Sequence, residues 1–586
     1  MGHPFRELRY THTVRPQPKT TGLRYWMLRV LEEYDRATAG FHPDPVHDLR
    51  VALRRCRSMA DGMMALDPDP AWKNMKKAGK RVFQSLGELR DTQIMMEWIE
   101  KLAPTVPDPS VARALLPANT ESHQVQPGLV PSLSDATQEP APVPADALLA
   151  ILKQRESIQK HAARAALEQF DRKQWRQWAK SLPIRAARIR PGSAVFKHLA
   201  LERWTTAREL HTSAMRNRSQ VALHTLRIGI KRFRYIVENF LPAEHKLWSN
   251  DLKHMQDLLG DVHDLDVLWT TATSSHIFHD PESRQAWHQR IKEERTKRID
   301  EYRAKMVGPN SLWNIWRSGL PQGQRVQQIA TDRIKLWAKV LDPDFAHSER
   351  VARFALELYD GLQSIGSWGK NGSGSEIHGS DARSDLYLAA LLHDVGKARG
   401  SKGHHKESQA LIQSHPAPLG WHPETMQRAS VIARFHCGAL PVRSHKALRN
   451  FLPDEQKTII RLAAILRLAN AFDAEHDGRI KRVKIELSPT QLRTNWPKNR
   501  TNGLRRHPLR LAKNEAVVIA AEGYLPRSST AQRIAAERYL LETILKRPIV
   551  VKPAKAQLRS IHAETRISLR KEPVPLQKPI SYSHPL

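Results

Sequence analysis

A chain of 586 residues is long enough for two or three domains with cores of their own. Its 93 lysines and arginines against 60 aspartates and glutamates leave a formal net charge of +33, which points to a polyanionic partner: nucleic acid, inorganic polyphosphate or an anionic surface. Two distant cysteines, Cys56 and Cys437, exclude a disulfide framework and suit a reducing cytosol, and no apolar run approaches the ~18 residues of a membrane span.

The amino terminus lacks an apolar signal core, so the expectation is a soluble, cytoplasmic protein with no membrane partner. The first patterned segment, "VHDLRVALRRCR" (46–57), is followed by "KKAGKRVFQSLGELRDTQIMMEWI" (76–99). Residues 103–147 are rich in Pro, Ser and Gln and read as a disordered insert. "LHTLRIGIKRFR" (223–234) then repeats the first segment, and "SNDLKHMQDLLGDVHDLDVLWT" (249–270) repeats the second. Gly and Pro clusters at 307–325 suit a linker. Beyond it a helical pattern resumes, broken by a loop at 364–385. Strand-like alternation is expected at 479–488, 507–522 and 547–554, with a helix at 529–546 before the last run. The fold class expected is mainly α: a duplicated helical bundle, then a helical domain with a small α+β tail. Residues 556–586 read as an unstructured tail.

In the repeat, His47 answers to His224, Arg50 to Arg227, Arg54 to Lys231, Arg55 to Arg232 and Arg57 to Arg234. Lys80 meets Lys253, Leu86-Gly87 meets Leu259-Gly260, and Asp91 meets Asp264. On a helix, Arg50, Arg54 and Arg57 lie within about 80° of His47, beside an apolar stripe of Leu49, Leu53, Cys56 and Ala60. The second copy sets Leu226, Ile230, Phe233 and Val237 in the same arc. Cations flanking a core repel one another unless an anion lies between them. If the two helices face each other, their basic stripes line one groove, extended by Lys80, Lys253, Lys76 and Lys77. Guanidinium forks suit phosphate oxygens, and a histidine adds a further donor.

These motifs resemble the CHAD domain, the conserved histidine α-helical domain, over roughly residues 20–306. The resemblance implies two pseudo-symmetric helical bundles enclosing a basic cavity for inorganic polyphosphate, with association with polyphosphate granules. It places the anion-binding set at His47, Arg50, Arg54, Arg55, Arg57, Lys80, Arg90, His224, Arg227, Lys231, Arg232, Arg234 and Lys253. Two departures are the Pro-rich insert and His263, which stands where the first copy has Arg90.

"LYLAALLHDVGK" (386–397) carries a second constellation: an apolar helix ending in His393-Asp394 and stopping at Gly396. His347 in "AHSERVARFALELYD", His404 and His405 in "GHHKES", His436 in "ARFHCG" and Asp473 in "LRLANAFD" come from other helix ends. Imidazoles and carboxylates gathered in one pocket suit one or two divalent cations such as Mn, Mg or Fe. Carboxylate-bridged pairs of such ions promote attack on phosphorus. Lys397 falls about one turn from His393, where it can neutralise phosphate charge, and Arg434 can help orient it.

The order His, His-Asp, His, His, Asp resembles the HD phosphohydrolases, and over about 326–555 it looks more narrowly like the carboxy-terminal domain of the exopolyphosphatase/guanosine pentaphosphatase family. That resemblance implies one metal site at His347, His393, Asp394 and Asp473. A second, at His405 or His404 with His436, would share a bridging Asp394. Asp394, Lys397 and Arg434 would be the catalytic set. The family's nucleotide-type Gly-rich loops are missing, and Cys437 stands where these domains commonly carry Arg.

The leading functional reading joins capture of polyphosphate, or a related polyphosphorylated anion, to metal-dependent hydrolysis. A second is a non-catalytic polyphosphate-binding protein with a structural or regulatory HD domain. Nucleic-acid binding is a third, disfavoured because the basic stripes carry no interleaved aromatics for base stacking.

Overall fold

The computed structural model describes residues 22–102, 144–366, 379–489 and 515–554. It is mainly helical, with one three-stranded sheet near the carboxyl end. The chain divides into two compact units: residues 1–341 together with 416–422, and residues 342–415 together with 423–586.

In the first unit the basic stretches fall on α2 (Pro43–Met64) and α8 (Gln220–Phe240), and their downstream partners on α4 (Lys80–Leu102) and α9 (Pro242–Ser274). Proline in the first turn of α2 and α9 presets a helical φ where its missing N–H has no partner to lose. The apolar arcs read from the sequence are buried: Leu49, Leu53, Cys56 and Ala60 on α2, and Leu226, Ile230, Phe233 and Val237 on α8. Burial of each large side chain contributes about 1.5–3 kcal/mol, which drives the two basic helices together despite their charge. Copies pair with copies, α2 packing on α8 and α4 on α9. The main core also takes in α1 (Leu23–Thr38), α3 (Pro70–Ala78), α6 (Arg172–Ala186) and α7 (Ala194–Asn217). A second core joins α4, α9, α5 (Pro144–Glu168) and α10 (Pro281–Met306) through Trp98, Leu148, Leu268 and Trp287.

Two expectations about connections change. Of the insert expected at 103–147, residues 103–143 lie outside the described residues. The rest forms the first turn of α5, again opened by proline. The stretch 307–325 is not a plain linker. It holds α11 (Leu312–Ser318), whose Trp313 and Trp316 are fully buried in the main core. Its glycines Gly308 and Gly323 make turns, with φ of 98° and 54°. Helix breakers mark turns, and here the chain continues past them through α12 (Gln324–Leu341), which packs with the first unit, while the second compact unit starts at Asp342. Residues 416–422 are held by polar contacts: the Leu419 N–H donates to Glu202 at 2.9 Å, and its carbonyl accepts from His198 Nε2 at 2.8 Å.

The second unit consists of α13 (Phe345–Ser364), α14 (Gly379–Leu392), a 3₁₀ turn at Val395–Arg399, α15 (His404–Ser414), α16 (Pro423–Arg434) and α17 (Pro453–Ala471), then the α+β segment. Strands β1 (Arg482–Pro489), β2 (Glu515–Glu522) and β3 (Ile549–Ala554) form a sheet of that order. β1 is antiparallel to β2, with Ile485 opposite Ile519, and β3 is parallel to β2. α18 (Ser529–Leu545) supplies the crossover that a parallel pair requires. The strands and this helix agree with expectation to within a few residues, except that 507–514 lie outside the described residues. The expected loop at 364–385 is shorter, because α14 starts at Gly379; residues 367–378, like the tail at 556–586, lie outside the described residues. Among the described residues no helix is long and apolar enough to cross a membrane.

Candidate functional site

Packing α2 against α8 brings cations of both copies into one field. Arg50 and Arg54 on α2 act on Arg227 and Lys231 on α8. Burial, then Arg227, Arg54 and Arg50, push the Lys231 amine down to about 8. The nearby carboxylates compensate weakly. Asp91 is 3.8 Å from Arg50 and is raised by burial, while Asp264 is pushed up by burial to about 6. The Nε atoms of Arg50 and Arg54 and the hydroxyl of Tyr235 are buried without a hydrogen-bond partner among the described residues. Unpaired donors inside a concentration of positive charge call for an anion with several oxygen acceptors.

The remaining predicted residues sort by position. Arg55 pairs with Glu238 and lies over Trp26, and Arg234 is 3.8 Å from Glu238, so both are partly neutralised between the helices. Arg57 donates to the Lys76 carbonyl at 2.5 Å, and Arg90 pairs with Glu97 at 2.9 Å. His47 is exposed, and burial followed by Arg90 and Arg54 lowers its pKa. His224 Nδ1 meets His263 Nδ1 at 3.2 Å, and His263 is pushed down to about 4 by burial and Arg227. His263, the counterpart of Arg90, therefore lies within reach of the Arg227 charge. Lys80, Arg232 and Lys253 are exposed.

In the second unit the chemistry centres on Asp394, just past the end of α14. Its Oδ2 lies 3.3 Å from His393 Nε2 and 3.9 Å from His347 Nε2. Its Oδ1 lies 3.3 Å from His404 Nε2 and 3.6 Å from His436 Nε2. One carboxylate thus faces two imidazole pairs, one with each oxygen. The ring orientation is imposed from behind. Nδ1 of His393 donates to the Ala390 carbonyl at 2.7 Å, that of His436 to Ala433 at 2.7 Å, and that of His404 to Ser401 at 2.8 Å. A carbonyl only accepts, so these Nδ1 atoms carry hydrogen and, in the neutral rings, the Nε2 lone pairs point inward. His404 Nε2 and His436 Nε2 are only 3.0 Å apart, and buried His393 Nε2 has no hydrogen-bond partner among the described residues. Such a group fits a divalent cation. Among the described residues, two sets of donor atoms gather closely enough to hold one: His347, His393 and Asp394, and His404, His436 and Cys437.

The electrostatics agree. Burial opposes ionisation of Asp394, yet His393, His404 and His436 hold it well below the usual carboxylate range. Hydrogen bonding to Asp394, then to Cys437, pushes His404 up to about 10. Burial drives His436 well down. The centre accumulates donors around a fixed negative charge.

The geometry distinguishes His404 from His405. His404 joins the cluster, whereas His405 stands beside it under the influence of Arg434. Asp473 lies behind His347 rather than with the gathered donor atoms: its Oδ2 is 2.7 Å from His347 Nδ1 and 2.8 Å from Arg350 Nε. A carboxylate behind an imidazole in this way fixes the ring's orientation. Lys397, on the 3₁₀ turn, binds Asp394 Oδ2 at 2.5 Å. Arg434 closes α16 half-buried.

Several participants carry no obvious motif. Asn470 Oδ1 is 3.0 Å from His347 Nε2, and His476 stacks on the His347 ring at 3.9 Å. Helical spacing offered a signal for two of them: Arg350 is one turn from His347, and Asn470 precedes Asp473 by three.

A comparison with curated proteins finds no match. Comparison with family models matches residues 27–273 to the CHAD domain and residues 325–514 to Ppx/GppA phosphatase, domain III. The chain therefore carries a CHAD domain followed by a Ppx/GppA phosphatase domain III.

Proposed function

We propose that the first unit captures inorganic polyphosphate, or another polyphosphorylated anion, and that the second is a metal-dependent phosphohydrolase of the HD type acting on phosphoanhydride or phosphoester bonds. The observation that carries this reading is Asp394, with each carboxylate oxygen directed at its own pair of inward-facing imidazoles. His347, His393, His404 and His436 would hold one or two divalent cations around it. Bound there, the ions would polarise a phosphoryl oxygen and make water acidic enough to attack phosphorus.

The chain's own groups supply the rest. The Lys397 ammonium, beside Asp394, is placed to neutralise phosphate charge. Asp473 and Arg350 keep His347 in one tautomer and orientation. A cavity of about 110 Å³, lined by His436, Cys437, Asn470, His476 and Arg533, lies beside the centre and offers a place for a phosphoryl group. The polyanion half of the proposal is supported by the unpaired Arg50, Arg54 and Tyr235 donors.

The test is phosphate release from long-chain polyphosphate with added Mn²⁺. Wild type is expected to release phosphate only with metal, and Asp394→Ala to lose at least about 100-fold in rate, the scale of removing a principal electrostatic contact. Equal release from wild type and variant would refute the hydrolase reading.

A further inference from the structure

Cys437 belongs to the set of donor atoms at His404 and His436, yet nothing in the proposed hydrolase requires a thiol there. Its Sγ is 3.8 Å from His404 Nε2, and the three donor atoms lie within 4.8 Å of one another. Adjacent side chains on a strand would point to opposite faces. His436 and Cys437 instead occupy the bend after α16, next to Gly438, whose φ of 72° few other residues adopt. That bend lets both neighbours line the same cavity. Cys437 is also unlike Cys56, which is wholly buried among apolar side chains of the first unit with its thiol pushed up by burial.

A second observation concerns the other donors at this position. His404 and His436 set their Nε2 atoms 3.0 Å apart with both Nδ1 atoms committed to backbone carbonyls. Two such nitrogens at that distance need a proton or a cation between them: a proton on His404 fills the place in the metal-free centre, and a cation would displace it. The Oδ1 of Asp394 completes the ring of donors at 3.3 and 3.6 Å from those nitrogens.

We infer that Cys437 is a thiolate ligand, and that the two halves of the Asp394-centred site differ in chemical kind. This rests on the reading of the cluster as a metal centre. The half at His347 and His393 offers imidazole and carboxylate, which accept Mn²⁺ or Fe²⁺. The half at His404 and His436 offers two imidazoles, one carboxylate and one thiolate in a four-donor set, which selects a thiophilic cation such as Zn²⁺ or Co²⁺ over Mg²⁺. The protein would thereby hold two unlike ions, sorted by ligand softness.

The test uses full-length protein stripped with a chelator and titrated with Co²⁺ alone. Wild type is expected to develop an intense near-ultraviolet thiolate-to-cobalt charge-transfer band together with weaker visible ligand-field bands. Cys437→Ser should lose the charge-transfer band and bind its tighter equivalent of Zn²⁺ at least 10-fold more weakly. Cys437→His should restore Zn²⁺ retention without the band, which guards against a variant that simply misfolds. Cobalt bound by wild type with no charge-transfer band, or an unchanged band in Cys437→Ser, would overturn the inference and leave the metal centre standing. Failure of wild type to bind cobalt at all would overturn both.

Discussion

Lys231 illustrates how one side chain reports on its neighbours. Its ammonium is held among Arg50, Arg54 and Arg227, and burial and those charges bring its pKa down to about 8 from the ordinary 10.5. The free folded protein therefore releases a proton that the unfolded chain still binds between about pH 8 and 10.5, so this residue makes stability rise with pH across that window. Anion binding works in the opposite sense, because the anion favours the charged amine. Polyphosphate affinity is thus expected to fall as pH rises from 7 to 9. Lys231→Met should flatten that dependence in a titration followed by retention of labelled polymer, and an equally steep pH profile in the variant would refute this role. At this scale the sequence identified residue types well but not side-chain directions. The pair His404-His405 offered no way to choose, and the choice rests on His404 Nδ1 reaching back to the Ser401 carbonyl. Nor does the motif show that Asp473 Oδ2 is shared between His347 Nδ1 and Arg350 Nε.

Elements set the distances within the centre, and the turn between α14 and α15 is the critical one. The Gly396 N–H donates to Ser408 Oγ at 2.9 Å, and Ser408 Oγ donates to the His393 carbonyl at 2.6 Å. A Cβ at Gly396 would stand 2.1 Å from the His404 carbonyl oxygen and 2.5 Å from the Ser408 nitrogen, both backbone atoms of α15. Gly396→Ala must therefore move the helix that carries His404 away from Asp394. Overpacking of this kind costs about 1–3 kcal/mol. The expected outcome is a lower melting temperature together with weaker metal retention, read by calorimetry and metal analysis. Unchanged values for both would contradict the turn's proposed role. Most elements of this unit were legible because their periodicity is clean, as in α18, and in β2 and β3 where they fall among the described residues. α11 was missed because its flanking glycines and prolines look like a linker. Only the packed environment reveals that Trp313 and Trp316 are core residues.

For the molecule as a whole, the net charge of +33 is a reservoir of long-range attraction for any polyanion, and the duplicated α2–α8 pairing concentrates part of it in one place. The duplication, the CHAD match and the helical class could be read from two short motifs. That residues 307–341 and 416–422 pack with the first unit could not, since this depends on tertiary contacts. On the proposed reading, capture and cleavage of a phosphate polymer make the two units interdependent in function. The most direct measurement is phosphate release from long-chain polyphosphate by the Arg50→Glu/Arg227→Glu double variant under metal-loaded conditions, with helicity and metal content checked against wild type. Each lost charge-assisted contact is worth about 1.5–3 kcal/mol, so release at subsaturating polymer should fall at least about tenfold while helicity and metal content stay unchanged. Release at the wild-type rate would contradict capture by the α2–α8 cation cluster as the step that feeds the hydrolase.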